Sequence, residues 1–387
     1  MRISKAAIAP FLALALGCGD SDDNGSDALI SDAAANYAAI VAATYADSVT
    51  AAEDMATSLD AFVAAPSQTR LAAAKNAWLA SREPYLQTEV FRFYDGPIDN
   101  PDDGPEGFLN AWPLDEAYID YVTGSETSGL INSTDTIDGA ALRGANEAGG
   151  ETNIATGYHA IEFLLWGQDL SEDGPGNRPF TDYVIDGTGT AANQERRGLY
   201  LSTVTDLLIE DLTSLETAWQ DGAAYRAEFV AAAPEESLRR ILTGMIILSG
   251  FETGGERLQT ALDTADQEDE HSCFSDNTHR DMIQDVVGIR NVWLGSYERL
   301  DGSKVEGVSI RDVVDAEDSE LAAKLDTQIA TSLSLANALQ PPFDREIASG
   351  NDEGRERVRA LVVSLQEQES LLQEVFRLFA LEIPVAE

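Results

Sequence analysis

Apolar residues in this chain return at intervals of three and four rather than two. From Ala28 to Ala64, Tyr37, Ile40, Val41, Tyr45, Val49 and Leu59 recur on an alanine-rich background, the pattern of an amphipathic helix. Pro66 ends that run and Ser67 is placed to cap the next, which carries Leu71, Ala74, Trp78 and Leu79 on to Phe91, with a kink expected at Pro84. Gly, Pro and Asp crowd 95–110, which predicts loop. Trp112 to Val122 predicts a helix with Pro113 in its first turn. Loops are expected at 138–152 and 171–190. Further helices are expected over 191–220, 235–265, 277–300, 319–339 and 353–381, with a turn at Pro341-Pro342. Strand signals are weak. The pattern predicts an all-α fold of antiparallel helices packed as bundles.

The loop at 171–190 is the best internal boundary, giving an N-terminal half at 28–185 and a C-terminal half at 190–387. Two echoes suit a duplicated origin. Trp78-Leu79-Ala80-Ser81-Arg82-Glu83 is similar to Trp293-Leu294-Gly295-Ser296-Tyr297-Glu298, and Glu89-Val90-Phe91-Arg92-Phe93 to Glu374-Val375-Phe376-Arg377-Leu378. Their offsets differ, so a simple tandem repeat does not follow.

The first residues read as targeting signal rather than fold. Arg2 and Lys5 precede an apolar stretch from Ala6 to Leu16 that is too short to span a bilayer. It ends Ala15-Leu16-Gly17-Cys18, which resembles a bacterial lipoprotein signal, with 1–17 removed and Cys18 lipidated. Residues 18–27 are polar and acidic and predict a tether. The protein is then expected in the cell envelope, anchored to a membrane but not spanning it. Ile241 to Phe251, the most apolar later run, is short and holds Gly244 and Gly250, so it reads as a core helix.

The net charge is −43. A nucleic-acid partner is excluded as a class, because phosphate contacts need a basic surface. There are two cysteines, Cys18 and Cys273; with Cys18 assigned to lipid, Cys273 has no partner and no disulfide framework supports the fold.

Candidate chemistry centres on Gly157-Tyr158-His159-Ala160-Ile161-Glu162-Phe163-Leu164-Leu165-Trp166-Gly167. His159 and Glu162 are three apart, hence on one helical face, within an otherwise apolar surround. Burying such a pair costs several kcal/mol unless a metal ion or a hydrogen-bonded network compensates. Glu252 and Glu256 are four apart, beside Gly254 and Gly255, which leave space for close approach of a helix or ligand. Asp276 and His279 share the first turn of the helix expected from Asn277, where Ser275 or Asp276 is an N-cap candidate. His271 stands two residues from Cys273, which does not by itself align a base with a thiol. Two ligands on one helix cannot fill a coordination shell, so Glu252 or Glu256, and Asp276 or His279, are expected to join His159 and Glu162 on one ion. Imidazole with carboxylates suits iron or manganese better than a thiolate site would, and zinc is the ion to test against. His-Glu-x-x-His and His-x-x-Glu-His are both absent, because position 163 is Phe.

The run from Gly157 to Asp169 resembles the imelysin family, also called M75 peptidase-like, in its iron-regulated branch. Arg92-Phe93-Tyr94-Asp95-Gly96-Pro97-Ile98-Asp99, Trp112-Pro113-Leu114-Asp115-Glu116 and Ser272-Cys273-Phe274-Ser275-Asp276-Asn277-Thr278-His279 carry the same resemblance. It implies two helical halves with a site at their interface and a role in iron acquisition alongside iron-uptake partner proteins. The family name implies a metal-dependent peptidase as the alternative. A surface interaction module, with a structural His-x-x-Glu, is the third reading.

Overall fold

The computed structural model describes residues 23–171 and 173–385. Helices dominate. Helix α1 (Asp23–Ala64) runs through the largest core and packs against α2 (Gln68–Leu86) and α4 (Gln194–Trp219). Between them in the chain lies α3 (Gly157–Trp166), which carries the central motif. Helix α5 (Pro234–Ile246) continues as a π-helix over Ile247–Gln259 and regains α geometry at Thr260–Thr264. Helix α6 (Thr278–Leu294), α7 (Ser319–Ala336) and α8 (Asp352–Leu378) complete the principal elements.

Local chemistry explains the boundaries. The Ser67 side chain accepts from the Arg70 N–H and starts α2, as expected. α2 stops at Leu86 rather than continuing kinked to Phe91. Thr88 turns both its N–H and its hydroxyl back onto the Tyr85 carbonyl, and Glu89–Phe91 form a 3-10 turn. α1 begins at Asp23, inside the segment expected as tether, and Ser26 donates to Glu317 at 3.1 Å. An acidic residue such as Asp27 is also favourable near a helix N-terminus.

Two further expectations need correction. The helix predicted over 112–122 is only the single turn Glu116–Ile119; Asp115 caps it, and the chain is extended again at Asp120, whose carboxylate is engaged by arginines from elsewhere. The helix predicted over 277–300 ends at Leu294. Gly295 takes a left-handed conformation, and β1 (Ser296–Glu298) pairs antiparallel with β2 (Lys304–Glu306).

The buried apolar residues form two clusters. The larger draws on α1 to α5 and also on α6, α7 and α8, through Trp293, Leu325 and Phe376 among others, and the smaller joins the end of the π-helix to other parts of α6, α7 and α8. Helix α4, which follows the loop at 171–190, packs directly on α1 and α3. Among the described residues no helix is long and apolar enough to cross a membrane.

Candidate functional site

Every residue of α3 is buried. Its entry explains the first glycine of the motif. Gly157 has φ of +85°, and a Cβ there would stand 2.6 Å from the Leu109 carbonyl oxygen. Only glycine supplies that backbone conformation without strain.

Two residues on, His159 Nδ1 lies 2.9 Å from Glu162 Oε2. Glu162 Oε1 accepts twice from the other side of the site, from the Ser275 N–H at 2.9 Å and its hydroxyl at 2.6 Å. His159 Nε2 is buried and has no hydrogen-bond partner. Burial, with the Arg82 guanidinium nearby, pushes the His159 imidazole down to about 3. Burial pushes the Glu162 carboxyl up to about 8, although Ser275 and Arg82 pull the other way. Both groups are therefore uncharged at neutral pH.

A second imidazole faces the first. The His271 ring is 5.0 Å from that of His159, centroid to centroid, and His271 Nδ1 lies 2.7 Å from Asp281 Oδ2. Its Nε2 meets only a long contact, 3.4 Å to Asn110 Nδ2. Burial keeps His271 far below the usual imidazole range. Arg82 closes this layer. It donates to Asn110 Oδ1 at 2.6 Å, pairs with Asp281 at 3.5 Å, and lies over the ring of Tyr158. The result is two carboxylate–histidine pairs side by side, each ring held through Nδ1. That is how metal-bound histidines are oriented: a carboxylate on one ring nitrogen fixes the tautomer and makes the other nitrogen more basic.

Next to this layer, Arg257 is fully buried among carboxylates. It donates to Glu89, to Asp285 at 3.0 Å and to Glu252 at 2.9 Å. Glu252 and Arg257 are five apart, and the π-helix is what stacks them: its i→i+5 turn brings those two positions into register where an α-helix would not.

Of the residues predicted from sequence, His159 and Glu162 are thus in direct contact. Glu252 is committed to Arg257, and Glu256 is exposed. Asp276 is buried with a left-handed φ of 56°, next to Ser275; the cap position belongs to Asn277 instead. His279 is half-buried, with Nδ1 3.2 Å from the Asp276 carbonyl. Among the described residues, the one group of three or more candidate ligands whose atoms all lie within 4.8 Å of one another is Asp169, Asp276 and Asp344. Of the six, only Asp276 belongs to it. Cys273 is half-buried and burial raises its thiol well above the usual range, so it is not poised as a thiolate nucleophile. Cys18 lies outside the described residues.

Sequence reasoning missed Arg82, Asn110, Asp281 and Asp285 altogether, and used His271 only as a neighbour of Cys273. Asp281 and Asp285 lie four apart on the buried face of α6, in a run whose other buried members are Met282, Ile283, Gln284, Val286, Gly288 and Ile289, mostly apolar. Carboxylates on an apolar helix face were the available signal.

The family model for imelysin, Peptidase_M75, matches residues 41–372. The chain belongs to the imelysin family. It is 25% identical over 323 residues to "Iron-regulated protein A" of Synechococcus elongatus, covering 80% of this imelysin and 76% of that protein. Two solved structures share the fold. One is a Parabacteroides distasonis protein named as an iron-regulated protein A precursor, at TM-score 0.67 and 21% identity, with 92% of this chain and 97% of that one covered. The other is an imelysin-like protein from Psychrobacter arcticum, at TM-score 0.65 and 11% identity, with 95% and 99% covered.

Proposed function

We propose that this imelysin is an exported, lipid-anchored protein that binds iron as cargo and serves iron acquisition, with His159 as the ligand around which the site is built. The observation that carries this reading is the His159 Nε2 atom, buried and without a partner while Nδ1 is held by Glu162. His271 is the second imidazole donor, with Glu162 and Asp281 orienting the two rings and the Gly157 entry holding the helix in place. Neutral imidazoles are what a metal requires, and burial keeps both neutral. The iron-regulated name of the Synechococcus relative supports iron as the ion.

The proton inventory makes the reading testable. With His159 and Glu162 both uncharged, two protons serve the pair. One occupies the Nδ1···Oε2 contact. Oε1 already accepts from two Ser275 donors, so the other proton sits on Nε2. Ligation through Nε2 requires that proton to leave, and Nδ1–H then donates to an ionised Glu162. Iron binding is expected to release about one proton below pH 8 and about none well above it. Titration calorimetry in two buffers of different ionisation enthalpy reads this number; equal heats in both buffers at pH 7 would sink the His159 assignment.

The anchor has its own test. Cys18→Ser is expected to leave an unprocessed precursor or to free the protein from membranes, scored by fractionation and by mass of the N-terminal peptide. Wild-type protein recovered without lipid would contradict it. The peptidase reading predicts instead metal-dependent cleavage of a peptide library by the same preparation.

A further inference from the structure

Three carboxylates from distant parts of the chain meet beside the histidine layer. Asp169 follows the end of α3, Asp276 precedes α6, and Asp344 lies in the short helix Phe343–Ile347. All three are buried, and one oxygen from each lies within 4.8 Å of the others. A cluster of acids is not by itself a binding site. A fourth carboxylate makes the difference. Glu270 is 1% exposed, neither of its oxygens has a hydrogen-bond partner, and it faces Asp344 and Asp276. Asp276 itself is 4% exposed, and neither of its oxygens accepts a hydrogen bond. Asp169 spends one oxygen on the Ser171 N–H and leaves the other without a partner.

Buried carboxylates in mutual contact repel unless a proton or a cation stands between them. The ionisable groups acting most strongly on Asp276 are Asp344, Asp169 and Glu162, all acidic. Among the described residues these strongest neighbours of Asp276 include no guanidinium, in contrast to the layer around Arg257. The donor set is all oxygen, with neither imidazole nor thiolate, which selects a hard cation. Oxygens that all lie within 4.8 Å of one another are close enough to share one ion, and a cage of buried protein carboxylates suits calcium better than magnesium, which keeps several of its waters. The site is also reachable. A surface depression of about 790 Å³ is lined by Asp169 and Asp344, with Asp266 and Glu268 at its acidic rim.

We infer that Asp169, Asp276, Asp344 and Glu270 form a second metal site, separate from His159, that takes a hard divalent cation of the calcium type. The ion holds the loop after α3, the loop before α6 and the Phe343–Ile347 helix together. It does not depend on iron at His159, and Asp276, expected on sequence grounds to complete the histidine site, belongs to this one.

The test is calcium titration of the full-length protein in detergent after chelator stripping, by calorimetry and by thermal unfolding. One Ca²⁺ per chain is expected to bind and to raise Tm. Asp276→Asn, which keeps a residue tolerant of the left-handed backbone, is expected to weaken Ca²⁺ binding by about 100-fold. Asp169→Asn serves as the second variant should Asp276→Asn fold poorly. His159→Ala is expected to leave Ca²⁺ affinity unchanged, so the failure of one site does not imply failure of the other. Absence of a Tm rise at about 1 mM Ca²⁺ would overturn the proposal. So would wild-type affinity in both Asn variants, since the surface acids alone would then account for binding.

Discussion

Asp120→Ala is expected to be the most damaging single substitution outside the histidine layer. Asp120 is fully buried and holds two buried cations. Its carboxylate accepts from Arg197 Nε at 2.6 Å and Nη2 at 2.9 Å, and from Arg178 Nη1 at 2.7 Å, with Asn132 Nδ2 at 3.2 Å. Burial alone would raise this carboxyl; the two guanidinia outweigh it and hold it below the usual range. Removing the anion leaves Arg178 a contact of 3.5 Å to Asp182 and leaves Arg197 only the Asp182 carbonyl. An uncompensated buried charge costs about 3–5 kcal/mol, and two arginines share this one partner. A domain has about 5–15 kcal/mol in all. The clamp also reaches the motif, because Arg178 lies over Phe163 of α3. Urea unfolding followed by circular dichroism should show loss of at least a third of the stability, or no folded protein. A change below about 1 kcal/mol would mean the arginines find other partners.

The second large effect is expected from Arg257→Met. This guanidinium ties Glu89, at the end of the α2 connection, to Glu252 on the π-helix and Asp285 on α6. Methionine keeps the apolar stem and removes three charge-assisted contacts. Glu89 keeps Arg92 at 2.9 Å, whereas Asp285 keeps only the Thr253 hydroxyl. A loss of about 3–5 kcal/mol at neutral pH follows. Acid titration gives the diagnostic sign. Burial would raise the Glu89 carboxyl, but Arg92 and Arg257 bring it down to about 2. A group with a depressed folded value stabilises above its unfolded value near 4.5, and that contribution disappears as pH falls towards 2. The stability gap between wild type and Arg257→Met should therefore narrow from pH 5 to pH 2. A gap that stays constant would locate the loss in packing.

What was legible from the sequence was local. The period of α1, the Ser67 cap and the apolar surround of His159 are contained within short windows, and the structure has them. The Glu252–Glu256 pairing failed for a physical reason. An α-helical period places those two together, but the π-helix pairs Glu252 with Arg257 and turns Glu256 to solvent. The glycines there were informative: a Cβ on Gly254 would touch Leu365 of α8 at 3.4 Å, the close helix approach that its smallness suggested. At Gly250 a Cβ would meet the Glu369 side chain of α8 more closely still. The His271–Asp281 pair, ten residues apart across a turn, has no periodic signature. The acidic cluster depends on Asp169 and Asp344 in connecting segments whose placement only the fold determines. Gly295 was hidden by the helical look of Trp293 to Leu300, and only its left-handed backbone reveals the hairpin.

The central claim is that His159 Nε2 holds iron, and metal analysis of matched variants tests it most directly. Full-length protein carrying Asp276→Asn, which disables the carboxylate cluster, is to be loaded with ferrous iron anaerobically and desalted. The account predicts about one iron per chain in that background, and loss of at least about 10–100-fold in affinity on adding His159→Ala, with helical content unchanged. Iron retained in the double variant, or no iron in the parent with an intact fold, would contradict it.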